Sequence, residues 1–306
     1  GPSWPTLFAS EFGLTATPSL VGGNNYAWGG ARTGTNPTDP NQGGTPWLEQ
    51  QVDVYLNASS PTSGTLISIF IGGNDVANNL GDSVALEAGI TSITTQIAYL
   101  YEQGARQFLV PNVPDIGATP QFQDLDMAIP GTAAFATFWT NQWNAALEAA
   151  LSDLANLLPE AVISSLDVFG LGMDPDVLSQ FDNTTDACLT LSSFCSNPAS
   201  YFYWDSFHPS STTHSLIAEA QYEITVPGRL QELLADVTGA GSGKSLEKTV
   251  ADAHDSFAAF NIRATCGKLR DFTGQVMAQA GKKLTDEQAA EFLSDANAIT
   301  EAIRCN

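Results

Sequence analysis

The stretch at residues 65–71, TLISIFI, limits what this chain can fold into more than any other part of it. It is rich in β-branched residues and almost continuously apolar, the pattern of a strand buried on both faces. Such a strand needs helices above and below it, which is the arrangement of a parallel α/β sheet. Two further runs of the same kind end in turn chemistry: 107–110 before Pro111-Asn112-Val113-Pro114, and 161–169 before Gly170. Helical stretches at 83–103 and 132–158 lie between them, so strands alternate with long helices. The expected fold class is α/β, a three-layer α/β/α sandwich around a parallel sheet. Residues 211–235 read as one more covering helix. In such a sheet chemistry collects at the carboxyl ends of the strands. That is where Gly72-Gly73-Asn74-Asp75 falls.

Charge divides the chain. Residues 1–228 contain two basic residues, Arg32 and Arg106, against 22 acidic ones, a net of −20. Residues 229–306 contain nine basic against 11 acidic, a net of −2. The break places a domain boundary near 227–230. The expected organisation is a catalytic-size domain over 1–228, a helix end and Gly/Ser linker over 229–244, and a small all-α bundle over 245–306. Three helices are expected in the bundle, near 246–260, 263–280 and 286–304, with Thr285 as an N-cap and Gly281 as a stop. A body this acidic repels nucleic acid and anionic membrane surfaces. The sequence contains no run of 18 apolar residues for a transmembrane segment.

Cys188 and Cys195 lie seven apart in a loop rich in Asn, Ser and Pro, while Cys266 and Cys305 bracket the last two expected helices. One pair on each side of the boundary reads as two disulfides and an oxidising compartment, secreted or at the cell surface. Four buried thiols are the alternative. No CxxC or paired histidines accompany them, so no metal site is expected. Asn57-Ala-Ser and Asn183-Thr-Thr match the glycosylation sequon in a chain generally rich in Asn and Ser. No signal peptide is visible at Gly1-Pro2-Ser3-Trp4.

Three segments can carry chemistry. At Gly72-Gly73-Asn74-Asp75 the glycines turn the backbone off a buried strand, and the Asn74 amide can donate to a developing oxyanion. The same four residues are also ordinary turn sequence. Asn25-Tyr-Ala-Trp-Gly-Gly-Ala31 can present a backbone N–H at a neighbouring strand end, or simply make a tight turn. In YWDSFHPS, residues 203–210, Asp205 precedes His208 by three positions. A carboxylate so placed can fix the imidazole through Nδ1 and leave Nε2 for a hydroxyl proton, and a surface turn would read the same. His214 falls inside the expected helix, and His254 sits on a helix beside Asp252 and Asp255, where it reads as solvated.

In this order the segments resemble the blocks of the SGNH/GDSL family of serine esterases and lipases. NYAWGGARTG is similar to the second block and implies Gly30 as an oxyanion N–H. FIGGNDV is similar to the third and implies Asn74 as the side-chain donor. YWDSFHPSSTTH is similar to the fifth and implies Asp205 and His208 as acid and base. The resemblance extends over about residues 1–225, through VPNVPDIGATP, and implies a flavodoxin-like sheet, an ester or lipid ester substrate and no cofactor. The family's first block, Gly-Asp-Ser-Leu at the end of the first strand, has no counterpart here: Ser3, Ser10 and Ser19 stand in other contexts. The expectation is a chain without its first strand and nucleophile, negligibly active as it stands, either a fragment or an inactive paralogue. A carbohydrate acetylesterase and a non-catalytic secreted or surface binding protein are the competing functions. Phe122, Met127, Ile129, Phe135 and Phe138 could line an acyl site or pack as core or lid. The C-terminal helices are read as a spacer or as a module for an unidentified partner.

Overall fold

A computed structural model describes residues 1–34, 44–241 and 244–305. Part of the expected linker, Ser242 and Gly243, lies outside them. The first half of the chain contains α1 (Trp4–Glu11), α2 (Leu48–Ala58), β1 (Leu66–Ser68), α3 (Gly73–Asn78) and α4 (Ser83–Glu102), then β2 (Gln107–Leu109), α5 (Pro120–Ala128) and α6 (Thr132–Leu157). After β3 (Val162–Ser164) come α7 (Val168–Leu171), α8 (Pro175–Leu178), β4 (Asn183–Ala187) and β5 (Tyr201–Tyr203). The chain ends in α9 (Ser211–Ile224), α10 (Val226–Val237), α11 (Ser245–Ala258), α12 (Ile262–Gln279) and α13 (Asp286–Ala302).

β1, β2 and β3 form a parallel sheet in that order, with Ile67 opposite Phe108 and Phe108 opposite Ile163. Side chains alternate as the two-residue period demands. Ile67, Ile69, Phe108 and Val110 face a core built with α2, α4 and α6. Leu66, Phe70 and Leu109 face α1 and α9. Helices on both faces of a parallel sheet make the α/β sandwich. Trp143 of α6, 2% exposed, reaches so close under the first site turn that a Cβ on Gly72 would lie 2.7 Å from its ring. Gly72 also has φ +119°, a conformation that favours glycine.

Two elements differ from the sequence expectation. The run 161–169 is a strand only over Val162–Ser164, because Asp167 accepts from Gly170 N–H and starts α7. The single helix expected over 211–235 is two helices. Pro227 stands in the first turn of α10, Thr225 caps it, and the chain bends between Ile224 and Val226. The consequence is structural: Val226, Leu230, Leu233 and Val237 of α10 enter one core with Leu269, Phe272 and Phe292 of the following helices. Thr285 caps α13 in a capping box with Gln288, and Gly281 has φ +66°. Arg304 at the end of the chain donates to the Ala155 carbonyl of α6. Disulfides join Cys188 to Cys195 and Cys266 to Cys305. Among the described residues no helix is long and apolar enough to cross a membrane, and no cluster of His, Cys, Asp or Glu could hold a metal ion.

Candidate active site

The turn after β5 is built by one carboxylate. Asp205 Oδ1 accepts the backbone N–H groups of Phe207 (2.8 Å) and His208 (2.7 Å), and both of its oxygens lie within 3.0 Å of His208 Nδ1. Burial pushes the Asp205 carboxyl up, but the hydrogen bonds from His208 and Phe207 outweigh it and hold the group below its ordinary value. A charged acceptor at Nδ1 leaves Nε2 as the free nitrogen, the geometry of a proton acceptor. Among the described residues the His208 ring makes hydrogen bonds to Asp205 only. Trp204 N–H to the His208 carbonyl closes the turn from within. Gln121 N–H of α5 braces it from outside through the Ser206 carbonyl. The Cys188–Cys195 loop is tied to the same segment, since Cys188 and Leu189 N–H donate to the Tyr203 and Trp204 carbonyls.

Asn74 lies in the first turn of α3, the helix that follows β1, and its Nδ2 donates to the Ala31 carbonyl at 3.0 Å. That contact uses one of the two amide hydrogens and leaves the second for a substrate oxygen. Gly30 precedes Ala31 in a turn at φ +77°, and its N–H has no partner among the described residues. The turn around Gly30 is therefore pinned to Asn74. A groove of about 880 Å³ runs along β1 and is lined by Asn74, Ala31, Phe207 and His208. Gly30 is not on its wall but next to Ala31, which is.

A buried pair fastens the same two segments from behind. Asp75, 8% exposed, accepts from Thr33 N–H at 3.2 Å and from Thr33 Oγ1 at 2.7 Å. Ser92 Oγ in turn donates to the Thr33 carbonyl. The role of Thr33 is not legible in the sequence; its one signal is the acid that directly follows Asn74. The groups expected around an acyl chain are elsewhere. Phe122 is buried in the core, while Met127, Ile129, Phe135 and Phe138 are exposed, and none of the five lines the groove. His214 does line it, from α9; burial first, and then His208 and the chain's amino group, push its pKa down to about 4.

The profile of the GDSL-like Lipase/Acylhydrolase family matches residues 1–220. The chain belongs to that family. Among GDSL proteins it is 27% identical over 248 residues to a GDSL esterase/lipase of Arabidopsis thaliana, covering 66% of each chain. A second Arabidopsis GDSL esterase/lipase is 26% identical over 187 residues, 51% of this chain and 48% of that one. An acetylesterase of Thermothelomyces thermophilus is 26% identical over 235 residues, 72% and 73% of the two chains. The match thus spans less than two thirds of the length of the two plant GDSL relatives. The family match ends at residue 220, before α10, so the family accounts for the sheet and the site turns but not for the helices that follow.

The Asp75–Thr33 pair makes a testable pH signature in this GDSL protein. Burial raises the Asp75 pKa to about 6, against the pull of the Thr33 hydrogen bonds and the Arg32 charge. A folded pKa above the unfolded value of about 3.9 gives stability that is complete below pH 4 and is lost as pH rises through 6. Two units correspond to a loss on the order of 3 kcal/mol. Urea unfolding at pH 4, 5, 6 and 7 is expected to show this loss in the native protein and not in Asp75→Asn. Parallel profiles for the two proteins would sink the assignment.

Proposed function

We propose that the protein is a carboxylic-ester hydrolase working through an acyl-enzyme, with a serine that reaches His208 from a segment outside these 306 residues. Family membership and the esterase/lipase relatives support a hydrolase of this general kind. The observation that carries the finer reading is that His208, oriented by Asp205, and Asn74 line one groove. His208 takes the serine proton as the hydroxyl attacks the ester carbonyl, then returns it to the leaving alkoxide. Asp205 holds the tautomer and stabilises the imidazolium. Asn74 Nδ2–H and Gly30 N–H supply donors for the tetrahedral oxyanion, joined by the serine's own N–H. In the second half-reaction His208 deprotonates water as it attacks the acyl carbonyl, and returns that proton to the serine oxygen as the acyl–serine bond breaks and the acid product leaves.

The relative named acetylesterase supports short acyl groups as the alternative substrate. Two disulfides support a site of action outside the reducing cytosol. The helices from α10 on share a core with Val162 of β3 and are proposed to serve attachment or partner binding. The test uses p-nitrophenyl acetate, butyrate and decanoate. The protein extended by a strand ending in Gly-Asp-Ser is expected to turn over at least one of them, and the 306-residue chain none. Turnover by the 306-residue chain that disappears with His208→Ala overturns the external serine. No turnover by any form, with the fold intact, favours a binding protein.

A further inference from the structure

Two stretches of this acidic chain carry no charge at all, residues 127–147 and residues 187–204. Each exposes large apolar side chains. The Cys188–Cys195 loop holds Leu191 fully exposed at its tip and exposes Leu189 and Phe194 as well. Phe194 meets Trp204 edge-on, one residue before Asp205. The corner between α5 and α6 exposes Met127, Ile129, Phe135 and Phe138. None of these residues lines the groove. Both places have their polar groups bonded internally. In the loop, Cys195 N–H donates to the Cys188 carbonyl, Thr190 N–H to the Ser193 carbonyl, and Ser193 N–H to Thr190 Oγ1. At the corner, Asp126 Oδ1 accepts from Gly131 and Ala133 N–H, which sets its charge against the amino end of α6. Thr132 Oγ1 donates to the Ile129 carbonyl.

Grouped exposed apolar residues mark a surface that meets another, and polar groups bonded to one another leave water at low cost. The same site turn ties the two places together. Cys188 and Leu189 N–H reach its Tyr203 and Trp204 carbonyls, and Gln121 N–H at the start of α5 reaches its Ser206 carbonyl. His208 on that turn is itself exposed. A folded partner seated on both places would shut the turn off from ester. A lipid surface meets both without matching their shape and brings ester to the turn. Charge selects the lipid: residues 1–228 carry a net of −20, which anionic head groups repel, and neither stretch offers a Lys or Arg to hold them. We propose that the 188–195 loop and the α5–α6 corner dock the protein on a lipid surface of no net charge. Leu191 and Met127 enter among the acyl chains, and Trp204 stands at head-group level. This rests on the hydrolase reading only for the use made of the surface, which is to present ester bonds to His208.

The experiment uses the whole chain and phosphatidylcholine vesicles with a nitroxide on some acyl chains, kept scarce so that NMR observes the free protein. Relative to unlabelled vesicles, the resonances of Leu191, Phe194, Met127 and Ile129 are expected to broaden. Leu157 is exposed too but lies roughly 33 Å along α6 from Phe135 at about 1.5 Å per residue. Its resonance, and that of exposed Met277 on α12, are expected to stay sharp. Leu191→Ser combined with Met127→Ser is expected to lower partition in vesicle flotation by about ten-fold or more, with the urea midpoint unchanged. Phosphatidylglycerol vesicles are expected to bind more weakly, and the gap to close as salt is added. No flotation with phosphatidylcholine, tighter binding to phosphatidylglycerol, equal broadening at Leu157, or undiminished partition of the double variant overturns the proposal. A dimer in sedimentation that Leu191→Ser abolishes, without vesicle binding, assigns the surface to a second copy and overturns it too. The hydrolase reading is separated by activity. With its serine supplied, the double variant is expected to keep turnover of dissolved p-nitrophenyl acetate and to lose about ten-fold or more on an emulsified long-chain ester. Vesicle binding without turnover by any form leaves the docking surface standing and overturns the hydrolase; turnover without vesicle binding does the reverse.

Discussion

His208→Ala is expected to lower kcat for ester hydrolysis by roughly 10⁵- to 10⁶-fold in the protein supplied with its serine, the scale of loss when the base of a serine triad is removed. The size follows from the construction of the turn. Asp205 is tied to His208 at backbone and ring together, so the two act as one unit whose base is the His208 ring. Asp205→Asn keeps an acceptor for the backbone N–H groups of Phe207 and His208 and loses the charge that holds the imidazolium. Its expected loss is about 10⁴-fold with the fold retained. Asn74→Ala removes one oxyanion donor, worth roughly 10²- to 10³-fold. It also frees the Ala31 carbonyl, so part of its loss comes from a shifted Gly30. Residues acting as one unit are not additive: Asp205→Asn on top of His208→Ala is expected to cost little more. A loss of less than ten-fold for His208→Ala, measured with saturating p-nitrophenyl ester, removes the acid–base role.

What the sequence makes legible here is local. Asp205 and His208 meet because only the two turn residues Ser206 and Phe207 separate them, and the turn is written in the residues themselves. The apolar run 65–71 specifies a strand covered on both sides, and the structure covers it so. The pairing of Asp75 with Thr33 spans 42 positions, and only the folded chain brings those together. Local chemistry also overrules pattern. The run 161–169 is apolar enough for a long strand, yet Asp167 finds a cap at Gly170 and accepts from Asn112 Nδ2, so the chain turns into a helix. At 224–228 a proline and a threonine cap break a helical period that continues on both sides. This break lets α10 leave the sheet and join the last three helices, a rearrangement no periodicity in 211–235 shows.

Those last helices carry the second large expectation. Replacing Cys266 and Cys305 together by alanine is expected to destabilise the α10–α13 unit by about 4 kcal/mol, the chain entropy returned when a loop of about 40 residues is opened. The bridge joins α12 to the segment after α13 across 39 positions, so it restrains the unfolded chain over about half of the unit. Such a small core has little to spare, even with α10 added. The 188–195 bridge closes a loop of only about eight residues, for which the same relation gives about 2.5 kcal/mol. Its removal is expected to act on the site instead, since it braces the strand that delivers Asp205 and His208. Urea unfolding followed by NMR signals of α12 and of β2 separates the two effects. Loss of the 266–305 bridge lowers the midpoint of the α12 signals most, and loss of the 188–195 bridge loosens the 203–210 turn at lower cost. An unchanged α12 midpoint in the 266/305 double variant would show that apolar packing with α10, not the bridge, holds the unit together.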